Sequence, residues 1–426
     1  MTTSNAITAT QGRRLIRTIH HSSRFVLVEV TAPPATQAAV RPHVNVAFVL
    51  DRSGSMGGED KFDLARAAVR HGINRLAQTD RFSVVVFDTD IDVVAPAREA
   101  TRDAKEAADR ALSRVGPRGG TDLGEGWLRG AAQVAEAIDR EGVNRVLLLT
   151  DGQANHGITD PGELGRHASE LRIRGINTST FGVGQDFDEA LLGGMADAGG
   201  GAFRFIERPD QIPALIGSEV GELLEVTARD VKLRVGGPAG LRVGSLSPFP
   251  AEPITGGAVL SLGDMVADQV IRLVLRLGFP LGETGRETGV ALEVWDRSGR
   301  LAASETLTWA FADGAANDAQ PRNRDVDRVV ARTYADRALR DVVTINRRGD
   351  WVAAREGLVA VARRIRSYAG SDEILRGIVA ELERAAEAWS RDRTEYDRKR
   401  QYSSSVYSLK ARHADGSAMR RDDPTA

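Results

Sequence analysis

An aspartate leads a short polar run, Asp51-Arg52-Ser53-Gly54-Ser55-Met56, directly after the apolar stretch at residues 44–50 (VNVAFVL). Asp51, Ser53 and Ser55 offer one carboxylate and two hydroxyls at every second position. A second aspartate, Asp151 in Thr150-Asp151-Gly152, follows another apolar stretch at residues 146–149 (VLLL), and Thr121 lies in Gly119-Gly120-Thr121-Asp122 ahead of a helical pattern. All five side chains present oxygen, the hard donor that suits Mg2+, with Mn2+ or Ca2+ as alternatives. Hydroxyls are neutral ligands. If Ser53, Ser55 and Thr121 bind directly and the aspartates act partly through water, the ion keeps much of its positive charge. The chemistry expected is a metal site whose open position captures an Asp or Glu of a protein partner.

These residues must be brought to one place. Ligands of an open parallel sheet bind at the carboxyl ends of its strands. Residues 44–50, 82–87 (FSVVVF), 146–149 and, less purely, 176–183 (INTSTFGV) read as strands buried on both faces. Between them, Phe62, Ala65, Val69, Ile73 and Leu76 recur at helical spacing, as do Leu128, Ala131, Ala135 and Ile138, and then Leu164, Ala168 and Leu171. The alternation predicts an α/β domain over residues 42–226, a doubly wound, mostly parallel, Rossmann-like sheet. It closes with a strand at residues 202–206 and a helix after Pro209.

The flanks read differently. Phe25, Leu27 and Glu29 alternate with Val26, Val28 and Val30, and Ile271, Leu273, Leu275 and Leu277 alternate with Arg272 and Arg276. This half-buried period predicts an antiparallel β-sandwich built from residues 1–41 and 227–312, with the α/β domain inserted in it. Residues 312–324 read as a linker. Residues 324–400 read as a helical bundle or hairpin, interrupted at Gly370 and Ser371. Residues 401–426 read as a polar, flexible tail in which Tyr402, Tyr407 and the serines at 403–405 form a modifiable or docking segment.

Composition narrows the function. The 426 residues include no cysteine, which excludes disulfides, thiolate chemistry and cysteine-based zinc sites. A net charge of −2 argues against a nucleic-acid binder. Residues 321–426 hold 23 Lys and Arg against 17 Asp and Glu, read as a solvated helix surface. No apolar run of about 18 residues crosses a membrane, and the N-terminal stretch lacks a signal-peptide core; a cytoplasmic protein is expected. An enzyme is the rival reading: Asp51 could serve a Mg2+-dependent phosphohydrolase as the phosphorylated nucleophile. Such enzymes place a second carboxylate two residues later, where this chain has Ser53, and Lys61 is the nearby lysine. Gly182-Val183-Gly184 lacks the third glycine of a dinucleotide fingerprint, and the glycines at 199–201 precede a strand rather than a helix. Asp88 and Asp90 end a strand or tune the rim of the site, and His156 reads as a loop histidine.

The pattern Asp51-x-Ser53-x-Ser55 with Thr121 and Asp151 resembles the metal-ion-dependent adhesion site of the von Willebrand factor type A family. Residues 181–188 (FGVGQDFD) and 199–203 (GGGAF) are similar to the late part of its bacterial members. The resemblance covers residues 42–226. The flanking sandwich is more loosely similar to that of bacterial and inter-alpha-trypsin-inhibitor-heavy-chain-like members. It implies Mg2+-dependent protein–protein binding without catalysis, in a scaffold or adaptor of a bacterial intracellular system. The partners it suggests are AAA+ ATPases or kinase and phosphatase signalling components.

Overall fold

The computed structural model describes residues 6–35, 41–299 and 301–423. They fall into two units, one comprising Ala35–Val226 with Asp415–Ser417, the other the remaining chain on both sides. The chain opens with β1 (Ile7–Gln11), β2 (Leu15–Arg17) and β3 (Ser22–Thr31) of the outer unit.

The inner unit follows as β4 (Val44–Asp51), α1 (Lys61–Arg75), β5 (Arg81–Phe87), β6 (Ile91–Glu99), α2 (Arg102–Leu112) and α3 (Leu123–Ala135). Then come β7 (Val143–Thr150), α4 (Pro161–Ile173), β8 (Asn177–Val183), α5 (Glu189–Ala198), β9 (Gly200–Ile206) and α6 (Ile212–Leu224). The sheet order is β6-β5-β4-β7-β8-β9, parallel throughout except for β6. Every residue of β4 and β7 is buried, as helices on both faces require. The antiparallel edge strand β6 was not foreseen; Pro96 and its mixed polarity suit an edge, where a missing N–H leaves no ladder bond unmade.

Helix α3 lies unusually close to the sheet. A methyl on Gly126 would stand 2.5 Å from Phe87 Cγ, and one on Gly130 would stand 2.2 Å from Val49 Cγ2. Its buried stripe is Leu123, Trp127, Ala131 and Val134. The expected Leu128 to Ile138 stripe is therefore rotated: Leu128 is half-buried and Ile138 lies past the helix end. Glycines carry no hydropathy, so a face built on them does not register in an apolar period. Trp127 fixes the rotation by donating Nε1–H to Thr178 Oγ1 at 3.1 Å.

The outer unit resumes with β10 (Val226–Gly236), β11 (Arg242–Ser245), β12 (Ala251–Ile254), β13 (Gly257–Val266), β14 (Val270–Phe279), β15 (Glu287–Trp295) and β16 (Ala302–Ala312). Two sheets, β1-β3-β14-β11 and β12-β13-β10-β15-β16-β2, enclose a core that includes Val26, Val28, Val30, Leu273, Leu275, Val290, Leu292 and Trp309. One pair, β16 with β2, is parallel, so the sandwich is not wholly antiparallel.

Helices α7 (Gly314–Ala319), α8 (Arg324–Arg347), α9 (Trp351–Ala369), α10 (Glu373–Ala388) and α11 (Glu395–Leu409) complete the chain. The outer-face residues Phe25, Leu27 and Val274 pack under Val326, Val330 and Tyr334 of α8. The expected linker contains α7, whose Asn317 is buried. Asp372, rather than Ser371, caps α10. The expected flexible tail is also different: α11 buries Tyr407 and Leu409, and Val270 N–H donates to Met419 O at 3.0 Å. Serine and tyrosine made this segment look solvated, although Ser403 and Ser405 are buried. No helix among the described residues is long and apolar enough to cross a membrane.

Candidate metal centre

Asp51 ends β4 and is fully buried. Its Oδ1 accepts from the Ser53 N–H at 2.7 Å, and its Oδ2 accepts from the Thr150 hydroxyl at the end of β7. Burial, reinforced by the charge of Asp151 and opposed by hydrogen bonds from Ser53 and Thr150, pushes the Asp51 carboxyl up to about 6. The Ser53 and Ser55 hydroxyl oxygens lie 3.1 Å apart. Ser55 donates to Asp151 Oδ1 at 2.7 Å, and Lys61 Nζ donates to Asp151 Oδ2 at 2.8 Å. Asp51, Ser53, Thr121 and Asp151 are all buried, whereas Ser55 is exposed and marks the open side.

Thr121 is delivered by interlocked loops. Arg118 N–H donates to Arg52 O at 2.7 Å, Gly54 N–H to Gly119 O at 3.2 Å, and Asp122 N–H to Asp88 O at 2.8 Å. Thr121 N–H donates to Asn155 Oδ1 at 3.1 Å, while Thr121 O accepts from the N–H groups of Asn155 and His156. The loops after β4, β5 and β7 and the loop before α3 thus tie one another at the carboxyl edge of the sheet.

Asp88 and Asp90 stand outside this set. Asp88 Oδ2 accepts from Arg52 Nε at 3.1 Å and from Arg118 Nε at 2.7 Å. Burial would raise its pKa, but the Asp90 N–H and the two guanidinium groups outweigh it and hold the carboxyl below its ordinary range. Asp88 is the anchor of the rim. His156 is exposed, with its ring against Gly120.

The five oxygen-bearing residues read from the sequence therefore lie at one sheet edge. Their donors are all oxygen, the chemistry that a small hard cation takes. A methyl on Gly152 would stand in ordinary contact with Thr121 Oγ1, at 3.4 Å, and Asp51 Oδ2, at 3.9 Å. Two buried carboxylates against one ammonium leave a net negative charge there. Among the described residues no group of three or more His, Cys, Asp or Glu is placed to hold a metal, so any ion here depends on the hydroxyls. Sequence reasoning missed Thr150, Asn155 and the contact made by Lys61. A polar residue closing an otherwise apolar strand, as Thr150 does, was the available signal.

Residues 45–216 match the model of the von Willebrand factor type A domain. The chain is 29% identical over 195 residues to the uncharacterized protein YfbK of Escherichia coli K12, covering 46% of this chain and 34% of that protein. It is 32% identical over 171 residues to inter-alpha-trypsin inhibitor heavy chain H4 of Sus scrofa, covering 38% of this chain and 18% of that one. The match thus spans about a third or less of those two relatives. Among solved structures, a von Willebrand factor type A protein from Catenulispora acidiphila superposes with a TM-score of 0.68 at 19% identity, over 91% of this chain and 98% of the other. The ArnB paralog VWA2 from Sulfolobus acidocaldarius superposes at 0.57 with 17% identity, over 90% and 97%. These likenesses establish the fold. The inner α/β unit of this chain, over residues 45–216, is a von Willebrand factor type A domain.

Proposed function

We propose that this protein is a Mg2+-dependent interaction module that grips an acidic side chain of a protein partner. Domains of this family typically serve protein interaction. The observation that carries the reading is the chain of contacts from Asp51 through Ser53 and Ser55 to Asp151, with Thr121 in the loop hydrogen-bonded to the one that carries Ser53 and Ser55.

Asp51, Ser53, Ser55, Thr121 and Asp151 would hold the ion. When bound, the ion supplies an electropositive coordination position for a carboxylate. Thr150 orients Asp51, as partners behind a ligand do in metal sites generally. The Arg52–Asp88–Arg118 group holds the loops that carry Ser53 and Thr121. Exclusion of water around these buried groups makes a charge pair here stronger than one on an open surface.

Catalysis is not part of the proposal. Ser53 occupies the position of the acid that phosphoryl transfer through Asp51 would need. Lys61 is engaged with Asp151 rather than aimed at a free phosphate position.

A pull-down on the full chain, with Mg2+ or with EDTA, tests the reading. A partner retained with Mg2+, released by EDTA and lost in Asp51→Ala supports it. Retention unaffected by either change contradicts it, and the partner recovered would decide between an AAA+ ATPase and a signalling component.

A further inference from the structure

Lys61 is the first residue of α1, and its ammonium meets Asp151 Oδ2 at 2.8 Å. Its side chain is 15% exposed and that of Asp151 is 1% exposed. The turn that delivers it is strained. Glu59 (φ 52°) and Asp60 (φ 58°), neither a glycine, both adopt left-handed backbone immediately before Lys61. Consecutive residues of this kind persist only where surrounding structure over-determines them, and they cluster at functional sites. The Lys61–Asp151 contact that follows this turn spans 90 positions of sequence.

We propose that Lys61 sets the charge of the site, weakening its hold on the metal and strengthening its hold on an acidic partner. The inference rests on the metal reading above. With both aspartates ionised, Asp51, Asp151 and Lys61 sum to −1, and a divalent ion brings the site to +1. Without Lys61 the same ion would leave the site neutral. The ammonium therefore opposes the ion by repulsion within a largely water-excluded space, and adds to the attraction for an incoming carboxylate.

The two effects have opposite signs, which a purely structural role would not produce. Full-length wild type, Lys61→Met and Lys61→Arg are titrated with MnCl2 by calorimetry. The Mn2+-loaded proteins are then titrated with sodium acetate while water-proton relaxation is recorded. Lys61→Met is expected to bind Mn2+ about tenfold more tightly, which is about 1.4 kcal/mol, and to need several-fold more acetate to displace metal-bound water. Lys61→Arg, which keeps the charge, is expected to retain both wild-type responses. Equal or weaker Mn2+ binding in Lys61→Met, or unchanged acetate response, overturns the proposal.

Unfolding in EDTA separates this outcome from failure of the metal reading. Lys61→Met, Asp151→Asn and the double variant form a cycle, and a double variant less destabilised than the sum of the singles is the expected result. Strict additivity overturns the role of Lys61 whether or not metal binds. If neither wild type nor Lys61→Met takes up Mn2+, the metal reading falls and this inference falls with it, while a coupled cycle would still identify the ion pair.

Discussion

Ser55 donates its hydroxyl to Asp151 Oδ1 at 2.7 Å across 96 positions of chain, joining the loop after β4 to the end of β7. The bond crosses between neighbouring strands, which pair in parallel from Val44 with Val143 to Leu50 with Leu149. Strand register therefore fixes the separation of Asp51 and Asp151, and Ser55 closes the remaining gap. The expectations below follow from this arrangement.

Thr150→Val should leave the fold intact and weaken metal binding. Thr150 donates to Asp51 Oδ2, and valine keeps the shape without the hydrogen bond. Losing such an orienting partner costs roughly 10- to 100-fold in affinity in other metal sites. Calorimetric titration with Mn2+, alongside circular dichroism, checks it; unchanged affinity would mean that Thr150 does not orient Asp51.

The buried Asp51 carboxyl makes metal-free stability depend on pH. Its folded pKa is about 6 against an ordinary 3.8. Below about pH 4 the group is protonated in both states and contributes nothing. Between about pH 4 and 6 only the folded state holds the proton, so raising the pH favours unfolding. Above 6 the full penalty of about 3 kcal/mol is present. In EDTA, Asp51→Asn should be more stable than wild type at pH 7.5 by up to this amount, with the gap closing near pH 4. Urea unfolding at the two pH values measures the difference, and a gap independent of pH would refute the assignment.

Gly130→Ala sets two effects against each other. Alanine gains about 1 kcal/mol of helix propensity. Its methyl, however, would stand 2.2 Å from Val49 Cγ2, and overpacking a core costs about 1–3 kcal/mol. Steric cost should win, giving net destabilisation of about 1 kcal/mol in urea unfolding. Displacement of α3 should also carry Thr121 away from Asp51 and reduce Mn2+ affinity in the same sample.

How much of this was legible follows from what each residue type announces. Asp51 follows a nearly continuous apolar run and Asp151 follows residues 146–149 with only Thr150 between, so the alternation of buried strands with helices placed both at the same sheet edge. Val26, Val28 and Val30 announced a sandwich strand by their period of two, and the structure buries all three. The α3 stripe failed because Gly126 and Gly130 make the closest approach with no side chain to mark it. Lys61 was noticed only as a nearby lysine, since nothing in linear spacing says that a helix start 90 positions upstream reaches Asp151. The segment around α11 failed because its buried serines carry polar groups into a packed helix, which composition alone reads as solvated.

The central claim is that Asp51, Ser53, Ser55, Thr121 and Asp151 hold a divalent cation. Calorimetric titration of the full chain with MgCl2 and MnCl2, for wild type and Asp151→Ala, tests it most directly. Saturable one-to-one binding in wild type that disappears in Asp151→Ala is the predicted result. Absence of binding by wild type at millimolar metal, or equal binding by both proteins, would contradict the account.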